Sequence, residues 1–199
     1  KIINYIYKKT NIESSQSNYV ESDKLLDFKK NINISNLNFS YKNKDKNTIQ
    51  DLNLIIENGE MLGVKGKTGS GKTTFINLIS FLIFPTSGDI TIDGQLITNR
   101  NVRLWQNNIS YVGQNYFLHN TTIKENIAIG LNKNEIDLDR VKYSCKLSCA
   151  DEFIEKLPNK YNEKITNNGL NFSGGQKQRL NLARAIYRNT KLIILDEPT

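Results

Sequence analysis

The chain is poor in the side chains that build metal centres: among 199 residues there is one histidine, His119, and two cysteines, Cys145 and Cys149. A metal site would need further ligands. The cysteines stand four apart, so a helix would put both on one face, where they read as small buried thiols of a reducing compartment. Long hydrophobic runs are also missing. The longest, residues 75–84, is too short to cross a bilayer and is interrupted by Asn77 and Ser80. No methionine opens the chain and no charged head precedes an apolar signal run, so no secretion signal is indicated and the chain is expected to begin inside a longer polypeptide. The net charge of +7 comes from lysines scattered among asparagines and isoleucines, as an AT-rich coding bias would also produce. Without a reading motif or a basic block it does not point to nucleic acid.

What is present suits one folded domain: 38% hydrophobic and 24% charged residues, enough to bury a substantial core. Residues 1–30 are polar, rich in Asn and Ser, and without a sustained period, which reads as a linker. Alternating apolar patterns predict antiparallel strands at 32–40 and 52–56 around a polar turn at 42–47, and a short buried strand at 61–64. Phe75, Leu78, Ile79, Leu82 and Ile83 at helical spacing predict a helix after Gly71, closed by Pro85 and Gly88. Further strands are expected at 89–92 and 109–112, and helices at 122–129, 138–149, 151–157 and 174–188. The apolar run 192–195 reads as a central parallel strand buried on both faces.

Three clusters carry chemistry. The first is Gly66, Lys67, Thr68, Gly69, Ser70, Gly71, Lys72 and Thr73, followed by Thr74: a phosphate-loop pattern between an expected strand and an expected helix. Its glycines let successive N–H groups and a helix N-terminus face phosphates, Lys72 adds positive charge, and Thr73 offers a hydroxyl to Mg²⁺. The second is the run 192–195 followed by Asp196 and Glu197. Asp196 would hold the metal's water shell, and Glu197 would orient and deprotonate an attacking water. The third is Phe172, Ser173, Gly174, Gly175 and Gln176. It reads as a capping box on the next helix and equally as an anion site open to a phosphate presented by another molecule.

A phosphate loop, then Gln114, then Phe-Ser-Gly-Gly-Gln, then Ile-Ile-Leu-Asp-Glu-Pro-Thr resembles the ATP-binding-cassette (ABC) ATPases, over residues 32–199. The resemblance implies an α/β fold of the P-loop NTPase type, with a parallel-sheet core, an antiparallel β subdomain and a helical subdomain inserted at about 115–172, the ATPase domain running over 31–199. It further implies that ATP and Mg²⁺ are the cofactors, that Tyr41 stacks on adenine, and that Gln114 contacts the metal and senses the γ-phosphate. Residues 173–176 would complete the ATP site of a second ABC ATPase domain, two ATP molecules lying between paired copies or between two different cassettes. The family's signature has leucine where Phe172 stands, a mild change at an apolar position.

Residues 121–127, Thr-Thr-Ile-Lys-Glu-Asn-Ile, and residues 157–161 resemble exporter-type cassettes, in which this face meets a membrane domain. That implies a membrane-spanning domain fused ahead of residues 1–30, a place on the cytoplasmic face of the plasma (inner) membrane, and no nucleic-acid partner. A soluble ABC ATPase and a separate importer subunit share the same core motifs. Exporters carry a glutamate just before the signature; here the turn is Thr166-Asn-Asn-Gly169, and Asn167 cannot form that charge pair. The family's aspartate loop and switch histidine follow Glu-Pro-Thr and are not within these residues, and His119 lies too early to serve. The chain alone is therefore expected to bind ATP and to hydrolyse it weakly or not at all.

Overall fold

A computed structural model describes residues 26, 28–42, 47–113 and 117–196. The linker expected before residue 26, most of the polar turn near residue 44, Gln114 and Glu197 lie outside the described residues.

The first layer is a four-stranded antiparallel sheet in the order β2–β1–β3–β4, made of β1 Asn31–Phe39, β2 Ile49–Glu57, β3 Ser87–Ile92 and β4 Gln95–Leu96. Strand β1 sits at its centre because its alternation buries Ile32, Ile34, Leu37 and Phe39 on one face. The step from Ile34 to Leu37 breaks the period of two. Asn36 absorbs the extra residue in a left-handed conformation, φ 48°, and the register shifts there. Gly88 on the neighbouring strand accepts that bulge, since a Cβ on it would lie 2.3 Å from the Asn36 carbonyl oxygen.

Helix α1, Lys72–Ile79, packs Phe75, Leu78 and Ile79 into the core below this sheet. It stops earlier than the spacing predicts. The Ser80 hydroxyl donates to the Ile76 carbonyl at 2.7 Å and Phe81 turns left-handed, which leaves Leu82 65% exposed. Helix α2, Val102–Gln106, seats the fully buried Trp105, whose indole N–H donates to the Ile79 carbonyl at 2.8 Å. Phe28 meets the Trp105 ring edge-on at 5.8 Å, and the Asn108 amide donates to the Leu26 carbonyl. Leu26 and Phe28 are thus core residues, so the folded unit starts before the boundary expected at residue 31.

Strands β5, Ile109–Val112, and β6, Leu192–Leu195, form a separate parallel pair. Two expectations fail here. Residues 61–64 form no strand, and Met61 is 96% exposed; β6 is not buried on both faces, with Ile193 and Leu195 about 40% exposed. The cause is common to both: an apolar run becomes a buried strand only when neighbours cover its edges and faces, and among the described residues β6 pairs with β5 alone.

Between the two strands of that pair comes a helical layer with its own core: α3 Ile123–Ile127, α4 Leu138–Leu147, α5 Asp151–Ile154 and α6 Gly174–Arg188. Helix α6 contributes Leu180, Ala183 and Tyr187, at helical spacing, to a cluster with Leu118, Ile123, Ile127, Val141 and Ile154. Cys145 is buried in it, and burial, with Asp151 nearby, pushes its thiol up to about 12. Cys149 departs from the expected buried pair: it follows the end of α4 at φ 55° and is exposed. No helix among the described residues is long and apolar enough to cross a membrane.

The segment entering β1 is fastened at one point. The Asp93 carboxylate, in the turn between β3 and β4, accepts from the backbone N–H groups of Lys29, Lys30 and Asn31 at 2.7–2.9 Å. Burial pulls its pKa upward, but these three donors and the Lys30 charge outweigh it and hold the group below the usual carboxylate value. Asp93→Ala should therefore cost about 1–2 kcal/mol in urea unfolding at pH 7. Because the folded pKa is depressed, the stabilisation is complete above the ordinary value near about 4 and is lost as pH falls through the folded one. The gap between native protein and variant should shrink on acidification.

Candidate functional site

The phosphate loop closes on α1 without a side-chain cap. Gly71 occupies the N-cap position at φ 93°, and among the described residues no side chain caps the helix. A Cβ there would press on the Thr48 carbonyl and the Ile49 side chain at 3.2 Å, so close packing of the loop against the start of β2 requires glycine. The Ser70 N–H donates to the Lys67 carbonyl, tightening the curl. Lys72 folds back, donating to the carbonyls of Gly66 at 2.8 Å and Lys67 at 3.1 Å, which holds its ammonium over the loop. The whole run from Gly66 to Ser70, including Thr68 and Gly69, is exposed, as is Thr73. The structure therefore presents uncapped helix amides, a lysine and a free-standing hydroxyl together, which is the chemistry of an anion site.

Tyr41 follows β1 and lies beside this loop. Its hydroxyl is 3.2 Å from the buried Thr74 hydroxyl, and its ring stands edge-on to Phe39 at 4.9 Å with 40% of the residue exposed. An aromatic face next to a phosphate loop is placed where a base could stack.

Asp196 extends the parallel pair by one bond, its N–H donating to the Val112 carbonyl at 2.9 Å. Tyr111, opposite Ile194 in the register, donates its hydroxyl to the Asp196 carboxylate at 2.6 Å. Burial, the hydrogen bond and the carboxylate charge together push the tyrosine up to about 12, so it remains a donor. The sequence pattern showed Tyr111 only as a strand residue; its contact depends on a register between positions far apart in the chain.

Among the described residues no group of three or more His, Cys, Asp or Glu could hold a metal. The available donors, the Thr73 hydroxyl and the Asp196 carboxylate, are hard oxygens. They fit Mg²⁺ carried in with phosphates, an ion that keeps most of its waters and takes one or two protein oxygens, and do not fit a protein-only cage.

The third cluster opens α6. Ser173 is its N-cap: the Ser173 hydroxyl accepts from the Gln176 N–H at 3.2 Å, and the Gln176 side chain accepts from the Ser173 N–H at 2.9 Å. The capping box expected from Ser173 and Gln176 is therefore formed. Phe172 is buried, its ring 5.9 Å from that of Phe153, so the larger side chain is accommodated at the apolar position. Gly174 and Gly175 are exposed, and a Cβ on either would meet nothing within 4 Å. The preceding turn is left-handed at Asn167, Asn168 and Gly169, a run that suits asparagine and glycine, and the Asn168 N–H donates to the Asn120 side chain at 2.9 Å.

Comparison with known proteins agrees with this fold. The family model described as "ABC transporter" matches residues 49–199. An ATP-dependent lipid A-core flippase of Cupriavidus pinatubonensis is 37% identical over 162 residues, 81% of this chain and 28% of that protein. An ABC transporter B family member 2 of Dictyostelium discoideum is 39% identical over 176 residues, 88% of this chain and 12% of that protein. Among solved structures, a bacterial Atm1-family ABC exporter with ATP bound superposes with a TM-score of 0.79 at 26% identity, over 98% of this chain and 34% of that one. The chain thus spans about a third or less of the length of these relatives.

Removing the Ser173 hydroxyl should leave the Gln176 N–H without its partner. Ser173→Ala is expected to weaken the helix start by about 1 kcal/mol and Ser173→Thr by much less. Faster amide exchange confined to the first turn of α6 in the alanine variant is the readout.

Proposed function

Because this chain belongs to the ABC transporter family, whose members bind ATP, we propose that it is the ATP-binding and ATP-hydrolysing part of an exporter-type transporter. Its work is done at the cytoplasmic face of a membrane, joined to a membrane-spanning domain and paired with a second ATPase domain. The likeness to an ATP-dependent flippase and to an exporter with ATP bound, both longer than this chain, supports this reading.

The observation that carries it is the start of α6. Glycine in a helix costs up to about 1 kcal/mol relative to alanine, and none of the described residues occupies the space beside Gly174 or Gly175. Their bareness serves an approach from outside. A helix N-terminus stripped of side chains admits a phosphate held on another molecule's phosphate loop.

In this arrangement Gly66 to Thr74 cradle the phosphates, Lys72 neutralises the outer ones, and Tyr41 supports the base. Thr73, Gln114 and Asp196 would hold Mg²⁺, which supplies charge neutralisation on the phosphates when bound. Tyr111 keeps the Asp196 carboxylate aimed. Glu197 accepts a proton from the attacking water, and Gln114 reports the γ-phosphate. Residues 173–176 of the paired domain close the site, so bound ATP joins two domains and hydrolysis parts them.

Gly175→Ala in the intact protein separates the two halves of the site. Stability should be unchanged or higher by up to about 1 kcal/mol. Binding of a fluorescent ATP analogue should persist, and ATP turnover should fall by about tenfold or more. Unchanged turnover would contradict the proposal.

A further inference from the structure

Tyr111 is a large aromatic residue that packs poorly: 47% of it is exposed, while Ile109, Ser110 and Val112 of the same strand are buried. One edge of its ring closes over Gly113. A Cβ on that glycine would stand 2.9 Å from Cε1 of the ring, so a bare position at the end of β5 is what lets the ring lie there. The ring in turn carries its hydroxyl to Oδ2 of Asp196 at 2.6 Å, a short bond from a neutral donor to a carboxylate.

The two strands do not need this bond. They pair in register from Ile109 with Leu192 to Val112 with Leu195, and the Asp196 N–H already donates to the Val112 carbonyl at 2.9 Å. A further stitch at a water-facing edge adds little to stability. What the hydroxyl changes is the carboxylate itself, because it engages one of the two oxygens. Among the described residues no ion pair holds Asp196, so the other oxygen keeps its lone pairs for a ligand from outside. Divalent cations differ in what they ask of such a group. Ca²⁺ gathers about six to eight oxygens in a loose shell and readily takes both oxygens of one carboxylate, whereas Mg²⁺ demands an octahedron, keeps several waters and takes single oxygens.

We propose that Tyr111 determines which cation accompanies the nucleotide: by engaging Oδ2 of Asp196 it denies a two-oxygen grip, which favours Mg²⁺ and disfavours Ca²⁺. Tyr111 acts through Asp196 and is a positioning residue. Its exposure belongs to this role, since a hydrated cation arriving with phosphates needs a carboxylate at a water-facing edge. The inference rests on the part proposed above for Asp196 in holding the metal, and adds to it a residue that discriminates between metals.

The test uses the intact protein, unmodified and as Tyr111→Phe, which keeps the ring and loses the hydroxyl, and Tyr111→Leu, which loses both. The Kd of a fluorescent ATP analogue is measured with saturating Mg²⁺, with saturating Ca²⁺ and with EDTA, and thermal stability alongside. The readout is the Kd with Ca²⁺ divided by the Kd with Mg²⁺. In both variants this ratio should fall by about two- to tenfold, the worth of one hydrogen bond, while the Kd in EDTA stays within about twofold. A ratio unchanged in Tyr111→Phe would overturn the inference, and so would a shift confined to Tyr111→Leu, which would assign the effect to the ring. Parallel loss of thermal stability and of affinity under all three conditions, with the ratio kept, would also overturn it, as the pattern of a strand stitch. If Tyr111→Leu does not fold, Tyr111→Phe decides. Failure of the unmodified protein to bind the analogue with either cation would instead overturn the proposed function and this inference with it, whereas binding with Mg²⁺ and a ratio that neither substitution moves sinks the inference alone.

Discussion

An α-helix leaves its first N–H groups without partners, and this chain answers that constraint in two opposite ways. At α6 the Ser173–Gln176 capping box satisfies two groups and leaves the neighbouring glycines bare. At α1 no side chain among the described residues caps the helix: Gly71 bends the loop back, and Lys72 donates to the Gly66 carbonyl across it. The rest of the architecture serves these two helix starts. The antiparallel sheet and Trp105 support α1, and the helical core supports α6. The two anion-attracting ends therefore stand on different cores, suited to the two halves of a site shared between domains.

Legibility in the sequence follows the range of the interaction. Strand β1 could be read because its alternation is local, and even its bulge shows as the three-residue step from Ile34 to Leu37. Helix α6 could be read to the residue because Ser173 caps it and Asn189 ends it in a left-handed turn. The phosphate loop and the capping box are likewise properties of adjacent residues. Where distant neighbours decide, the pattern misled: residues 61–64 and β6 are apolar enough for buried strands, yet burial depends on the chain that flanks them. Leu26 and Phe28 are too few to set a period, so only their contacts with Asn108 and Trp105 reveal them as core.

The contacts that organise the site belong to the same long-range class. Tyr111 meets Asp196 because of a strand register, and Arg184 meets Asn126 and Phe117 because α6 crosses the helical layer. The sequence signals are faint: Asn126 stands next to the buried Ile127, and Arg184 between the buried Ala183 and Ala185. Burial lowers the Arg184 pKa without reversing its charge at neutral pH.

The central claim is that the phosphate loop of one domain and residues 173–176 of another form a single ATP site. The most direct measurement mixes two versions of the intact protein, one unmodified and one mass-tagged and carrying Lys72→Ala, with an ATP analogue bearing a photoreactive group on its γ-phosphate. After irradiation the labelled peptides are mapped. The account expects residues 173–176 of the Lys72→Ala copy to be labelled, by nucleotide held on the unmodified copy's phosphate loop. Label at 173–176 confined to copies that keep their own Lys72 would contradict it.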